Sequence, residues 1–252
     1  MGIMGMISGR RAYSQHVNGN RLIDARRISE GNAAHERAMS LYQQSYEKGM
    51  RVPNIMLAYA VLLLRKGQYE KSRDLMREAD KLPSIKKDEK QRLRVNFAIC
   101  QWKLGNLDKA IELMESVSSD RKSSMIYGSL GFMLIEQGER DGNFDKALAY
   151  NMEAYDYDED DAVVLDNLGQ LHLRMGNRDK AKEFFARAHE EKPYQVDTLY
   201  YLAKLAHEDG QPDKALEYLD DALEGNFSAL ITVPREAVQA LRDQVAREVN
   251  LE

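Results

Sequence analysis

Cysteine is almost absent: Cys100 stands alone in 252 residues, so no intramolecular disulfide can form and nothing asks for an oxidising compartment. Proline is scarce, with 5 residues, and tryptophan occurs once, at Trp102. No apolar run approaches the roughly 18 residues of a membrane-spanning helix. A secretory signal is excluded because Arg10 and Arg11 follow the apolar opening instead of preceding it. Myristoylation is excluded because Met6 stands where Ser or Thr is needed. An excess of positive charge is missing too, the formal net charge being −5, which argues against a nucleic-acid partner.

What is present points to helices. The chain is 43% hydrophobic and 31% charged, and rich in Ala, Leu, Glu, Lys and Arg, all good helix formers. Its length allows one large domain or two small ones, either with a substantial core. The charge is uneven: Arg10, Arg11, Arg21, Arg26 and Arg27 against Asp24 make residues 1–27 +4, which leaves −9 for the rest.

One phrase recurs. "RKGQYEKSRDLM" (65–76), "KLGNLDKAIELM" (103–114), "RDGNFDKALAYN" (140–151), "RMGNRDKAKEFF" (174–185) and "EDGQPDKALEYL" (208–219) share a Gly and, after it, a small residue. The small residues Ser72, Ala110, Ala147, Ala181 and Ala215 fall 38, 37, 34 and 34 positions apart. A period near 34 describes one supersecondary unit per repeat, each burying its apolar face only against its neighbours. Each phrase reads as a joint between two helices. Gly67, Gly105, Gly142, Gly176 and Gly210 end the first helix in the left-handed conformation. Asn106, Asn143 and Asn177 suit the N-cap of the second, and Pro212 suits a first helical position. Ala60, Ala98, Gly131, Gly169 and Ala203 lie where the paired helices must approach closely.

The order Leu165, Leu168, Gly169, Gly176, Ala181, Phe185, Ala188, Pro193 resembles the tetratricopeptide repeat, and the stretch 196–227 follows it through Leu199, Leu202, Ala203, Gly210, Ala215 and Ala222. The resemblance covers residues 53–227 as five repeats: 53–90, 91–123, 124–161, 162–195 and 196–227. It implies an all-α protein, a right-handed α-solenoid of antiparallel helix pairs. A degenerate first repeat is placed at 20–52, with its first helix near 20–31. The apolar stripe Val238, Leu241, Val245, Val249 marks a C-terminal capping helix within 228–252. The insert "GERDGNF" predicts a longer first helix or a looped joint in the fourth repeat. "SIKKDEK" predicts a longer connection between the second and third.

Residues 1–19 stay open between two readings: the cytoplasmic end of a cut membrane anchor, and a natural start with a loosely packed tail. A further expectation is that residues 1–9 lie in an apolar groove, in cis or in a neighbouring molecule. The cytoplasm is the expected location, with tethering on the cytoplasmic side of a membrane as the alternative.

Motifs for chemistry fail on inspection. Asp156, Asp158 and Asp160 alternate as in a calcium loop, but Asp161 occupies the Gly position and Asn167 the closing Glu position, so Asp160 or Asp161 reads as an N-cap. The S-x-x-K matches at Ser45, Ser84 and Ser119 have no K-T-G partner. His16, His35, His172, His189 and His207 show no ligand spacing with each other or with Cys100. No catalytic residue, metal ligand or cofactor is expected.

In the tetratricopeptide family the first helices line a concave groove for a peptide or partner helix. The matching positions here give Leu57, Val61, Arg65, Asn96, Ile99, Trp102 and Phe132 as an apolar half, and Asn167, Gln170, Arg174, Tyr200, Tyr201 and Lys204 as a polar, aromatic half. About half of the apolar positions are expected to pack between helices for stability alone. The family's carboxylate clamp does not map: beginning at the second repeat its positions hold Leu57, Val61, Asn96, Met125 and Ser129. The expectation is a non-catalytic scaffold for a protein or peptide ligand other than an acidic chaperone tail, the alternative being a membrane-tethered assembly factor anchored through a segment preceding or including residues 1–9, with homo-oligomerisation left open.

Overall fold

The computed structural model describes residues 3–249, and of the side chains those from Gly5 on. Among the described residues there are thirteen α-helices and no strand: α1 (Ile3–Asp24), α2 (Ile28–Glu47), α3 (Pro53–Arg65), α4 (Tyr69–Asp80), α5 (Lys87–Lys103), α6 (Leu107–Asp120), α7 (Ser124–Asp141), α8 (Asp145–Tyr157), α9 (Ala162–Arg174), α10 (Arg178–Glu191), α11 (Val196–Glu208), α12 (Pro212–Leu223) and α13 (Arg235–Val249). They form two units. The first runs to Val117 and includes Ser228–Leu230; the second holds Ser118–Phe227 and the chain from Ile231 on.

The recurring phrase is a helix joint with one geometry. Gly67, Gly105, Gly176 and Gly210 have φ between +71° and +83°, a region open to Gly without the Cβ penalty. The residue after each glycine donates its N–H back across the turn, as in Asn106 N to Gln101 O at 2.9 Å and Asn177 N to His172 O at 2.8 Å. This is the Schellman motif, which satisfies the first helix's last carbonyls. The asparagines are otherwise engaged than predicted. Asn106 Nδ2 donates to Gln101 Oε1 at 3.0 Å, and the Asn177 side chain caps nothing, its Nδ2 lying 3.4 Å from His172 Nδ1. Only Asn143 reaches forward, accepting from Asp145 N at 2.8 Å. Asp161 does cap α9, accepting from Val163 N and Val164 N.

The small residues let the helices touch. Ser72 Oγ donates to Ala60 O at 2.7 Å. A Cβ on Gly169 would lie 2.7 Å from the Phe185 ring, and one on Gly131 would lie 2.3 Å from Asn151 Oδ1. Both inserts lengthen helices. α7 has 18 residues against 13 in α9. α5 has 17, because much of "SIKKDEK" is helical, its start fixed by Glu89 Oε2 accepting from Lys86 N at 2.8 Å.

The amino-terminal expectation is corrected. α1 already runs from Ile3 to Asp24, so neither a tail over 1–19 nor a helix near 20–31 describes it, and the predicted boundary at 19/20 falls inside a helix. Gly5, Gly9, Ala12, His16 and Gly19 recur at four and three residues and are buried, facing the α2 stripe of Gly31, Ala34, His35, Ala38, Tyr42 and Ser45. Ser45 Oγ donates to Gly5 O at 2.5 Å, and a Cβ on Gly9 would meet Ser45, Ile55 and Met50. Gly5 and Gly9 therefore pack on α2 and the chain that follows it, with Ile7 between them exposed; residues 1 and 2 lie outside the described residues. At the other end α13 buries Val238 and Val245 against α11 and α12, with Leu241 partly buried beside them.

Candidate functional site

In the second unit, α9 carries Asp166, Gln170 and Arg174 four residues apart, hence on one face. Asp166 is 4% exposed. It accepts from Thr198 Oγ1 of α11 at 2.7 Å and from Gln170 Nε2 at 2.8 Å. Gln195 Nε2 donates to the same Thr198 hydroxyl at 3.1 Å. Arg174 NH1 donates to Gln170 Oε1 at 3.1 Å, and its Nε to Glu139 Oε2 at 2.9 Å. The result is a hydrogen-bonded rail from Gln195 to Glu139. Burial raises the Asp166 carboxyl to about 7, nearby Asp197 adds to this, and the two hydrogen bonds and Arg174 oppose it. Asp197 is itself held, its Oδ1 accepting from Thr232 N, Thr232 Oγ1 and Val233 N at 3.0, 2.6 and 2.8 Å.

Beside the rail, Tyr201 stacks on Phe185 with centroids 5.2 Å apart, and Tyr200 meets Tyr201 edge-on at 5.4 Å. Lys204 is exposed, and Arg174 and Tyr200 are half-buried. Residues 167–229, from the middle of α9 to beyond α12, match the family model described as Tetratricopeptide repeat. That stretch carries tetratricopeptide repeat sequence. No curated protein matches it in sequence. Among solved structures it is similar to a thermophilic TPR protein from Thermus thermophilus, with 23% identity, 79% of this chain and 99% of that one covered, and a TM-score of 0.60. It is also similar to pilF of Pseudomonas aeruginosa, with 18% identity, 79% and 84% covered, and a TM-score of 0.57. A third match is Cut9-Hcn1 of the APC/C, with 14% identity, 94% and 46% covered, and a TM-score of 0.56. At these identities the likeness is one of fold: an all-α tetratricopeptide solenoid.

Within these repeats the predicted site residues separate by burial. Leu57, Ile99 and Phe132 are buried, as are Asn167, whose Nδ2 donates to Gly128 O at 2.9 Å, and Gln170 in the rail. Asn167 thereby faces α7, whereas Gln170 bonds along its own helix. Half-buried are Val61, Arg65, Asn96, Trp102, Arg174, Tyr200 and Tyr201. Asn96 Nδ2 donates to Arg92 O at 2.8 Å, and the Lys103 ammonium sits over the Trp102 ring at 4.0 Å.

Sequence reasoning missed a cluster in the first unit. His16 and His35 are buried, their rings edge-to-face at 5.3 Å. Asn20 Oδ1 accepts from Arg65 NH1 at 2.8 Å and lies 3.1 Å from His35 Nε2. His16 Nδ1 is 3.3 Å from the Tyr42 hydroxyl, and its Nε2 has no partner. Burial first, then Arg65, then His35 push the His16 imidazole down to about 4. Burial and Arg65 lower His35 as well. Burial also lowers Arg65, opposed by Asp24. A signal was present in Gly19, where a Cβ would lie 2.3 Å from the His35 ring: a glycine mid-helix makes room for something large.

Among the described residues no group of three or more His, Cys, Asp or Glu side chains could hold a metal ion, and no helix is long and apolar enough to cross a membrane. In place of a calcium loop, Asp158 Oδ1 accepts from Asp160 N at 3.3 Å and Asp161 caps α9.

Proposed function

We propose that the chain is a non-catalytic interaction scaffold that takes an extended peptide or partner helix against the first helices of its repeats. The tetratricopeptide fold favours this, and one observation carries it: the rail through Asp166, Gln170 and Arg174 is fixed by internal hydrogen bonds, and beside it Arg174, Tyr200 and Lys204 offer charge and ring edges. A surface ordered in advance lowers the entropic cost of binding a flexible segment. In the first unit Val61, Arg65, Asn96 and Trp102 are the corresponding groups. The strongly raised Asp166 carboxyl would suit acid catalysis, but its two hydrogen bonds and burial favour a structural role.

Selection of peptides from a random library on the full chain tests the reading. Selected peptides should lose about tenfold in affinity on Lys204→Glu or Tyr200→Ala, and those engaging the first unit on the order of 2 kcal/mol on Trp102→Ala. Peptides that bind these variants and the parent equally would place the surface elsewhere. An acidic C-terminal tail of the Glu-Glu-Val-Asp type should not bind, and affinity for it that vanishes on amidation would reinstate the carboxylate clamp. A cytoplasmic setting and a peptide ligand without nucleic acid belong to the same proposal.

A further inference from the structure

The two terminal helices differ on their outer sides. α13 presents Gln239, Asp243, Gln244, Arg247 and Glu248, tied by pairs such as Gln239 Nε2 to Asp243 Oδ1 at 2.8 Å and Gln244 Nε2 to Glu248 Oε1 at 3.1 Å. That surface is made for water. α1 exposes Ile7 at 49%, Tyr13 at 45% and Val17 at 42%, and with them Arg10, Arg11 and Arg21. At 100° per residue, Ile7, Arg10, Ser14, Val17 and Arg21 fall within a sector of about 80°, flanked by Tyr13 and Arg11. The opposite side is the Gly5, Gly9, Ala12, Gly19 stripe buried on α2. No acid occurs before Asp24, and none of the three arginines makes an ion pair among the described residues.

We propose that the outer face of α1 docks onto an anionic lipid surface. The proposal stands independently of the peptide-binding reading. Charge complementarity selects an anionic occupant, and the mixing of arginines with aliphatic and aromatic side chains selects lipid. An interfacial helix sinks its apolar groups below the headgroups while arginine stems lie along them and the guanidiniums reach up to phosphates. From Ile7 to Arg21 the stripe is about 21 Å long at 1.5 Å per residue, a straight line suited to lying flat. An acidic protein groove would have to pair Arg10, Arg11 and Arg21 while covering Ile7 and Val17 between them.

Co-sedimentation of the full chain with vesicles decides it. Vesicles with roughly 30% phosphatidylserine should bind at least about tenfold better than pure phosphatidylcholine, and moderate salt should weaken the binding. An Arg10→Glu, Arg11→Glu double variant should lose that preference, an Ile7→Ser, Val17→Ser variant should bind several-fold more weakly, and Arg247→Glu on α13 should behave as the parent. All changed positions lie on the surface of their helices, so circular dichroism and melting should match the parent. The proposal fails if vesicles of both compositions bind equally or not at all, or if the α1 charge reversal has no more effect than that on α13. It fails also if the Ile7, Val17 variant binds like the parent, which would mean a general attraction for anions. Concentration-dependent self-association abolished by the α1 variants, without vesicle binding, would assign the face to a second copy and overturn it.

Discussion

The first unit clusters two buried histidines beside Arg65, whereas the second buries an acid, Asp166, and also encloses His172. Around α1, α2 and α3 the enclosed polar groups are His16, His35 and Arg65, with Asn20 and the Tyr42 hydroxyl as neutral partners. Around α9 and α11 they are Asp166 and Thr198, with Gln170 and Arg174. The same helix-pair plan thus accommodates opposite charge, and desolvation pushes each group towards its neutral form. The His16 cluster and Asp166 should therefore respond to pH in opposite directions.

The leading pH effect on the first unit is acid-induced. His16 is held neutral, its imidazole lowered from 6.5 to about 4. Its contribution is complete above 6.5 and lost as pH falls through about 4, roughly 3 kcal/mol in all. Hydrogen exchange corrected for intrinsic chemistry should show α1–α3 losing protection between pH 7 and pH 4. Next comes helix crossing. Gly169→Ala drives a methyl into the buried Phe185 ring and should cost about 2 kcal/mol. The reverse change in the first unit, Ala60→Gly, should cost only about 1 kcal/mol. Equal losses in urea unfolding would mean that the two crossings are packed alike. Asp166 supplies the opposing pH effect. With its carboxyl raised from 3.8 to about 7, its contribution is complete below 3.8 and lost as pH rises through about 7. Asp166→Asn should then stabilise the second unit by about 1 kcal/mol at pH 8 and flatten its pH dependence. Destabilisation at pH 8 would show that the charged carboxylate is the preferred form. The smallest effect is Ser72→Ala, which removes the hydroxyl bonded to Ala60 O, and about 0.5 kcal/mol of stability in the first unit by thermal melting.

The five joints were legible because they depend on single residues. A left-handed turn needs Gly, a close crossing needs Gly, Ala or Ser, and neither depends on distant parts of the chain. The asparagine caps were misread because a short amide beside a helix end has two neighbours to bond, and the first helix's Gln101 and His172 offered themselves. α1 was hidden for the same reason that it packs well: Gly5, Gly9 and Gly19 suggest looseness until a facing stripe of small residues is known. The candidate groove was half legible. Periodicity places Leu57, Ile99 and Phe132 on first helices, but not on which side of the neighbouring helix they fall. The histidine cluster lay beyond sequence reasoning, since positions 16, 35 and 65 meet only when three helices are assembled.

Cys100 acquires a use from its position. Its Sγ donates to Tyr69 O at 3.2 Å, and the thiol is buried and pushed up to about 11, mainly by burial. With no second sulfhydryl in the chain, a colourless thiol reagent that turns yellow on reaction would read one event, the moment α5 comes away from α4. The molecule carries its own clock for the opening of its first unit.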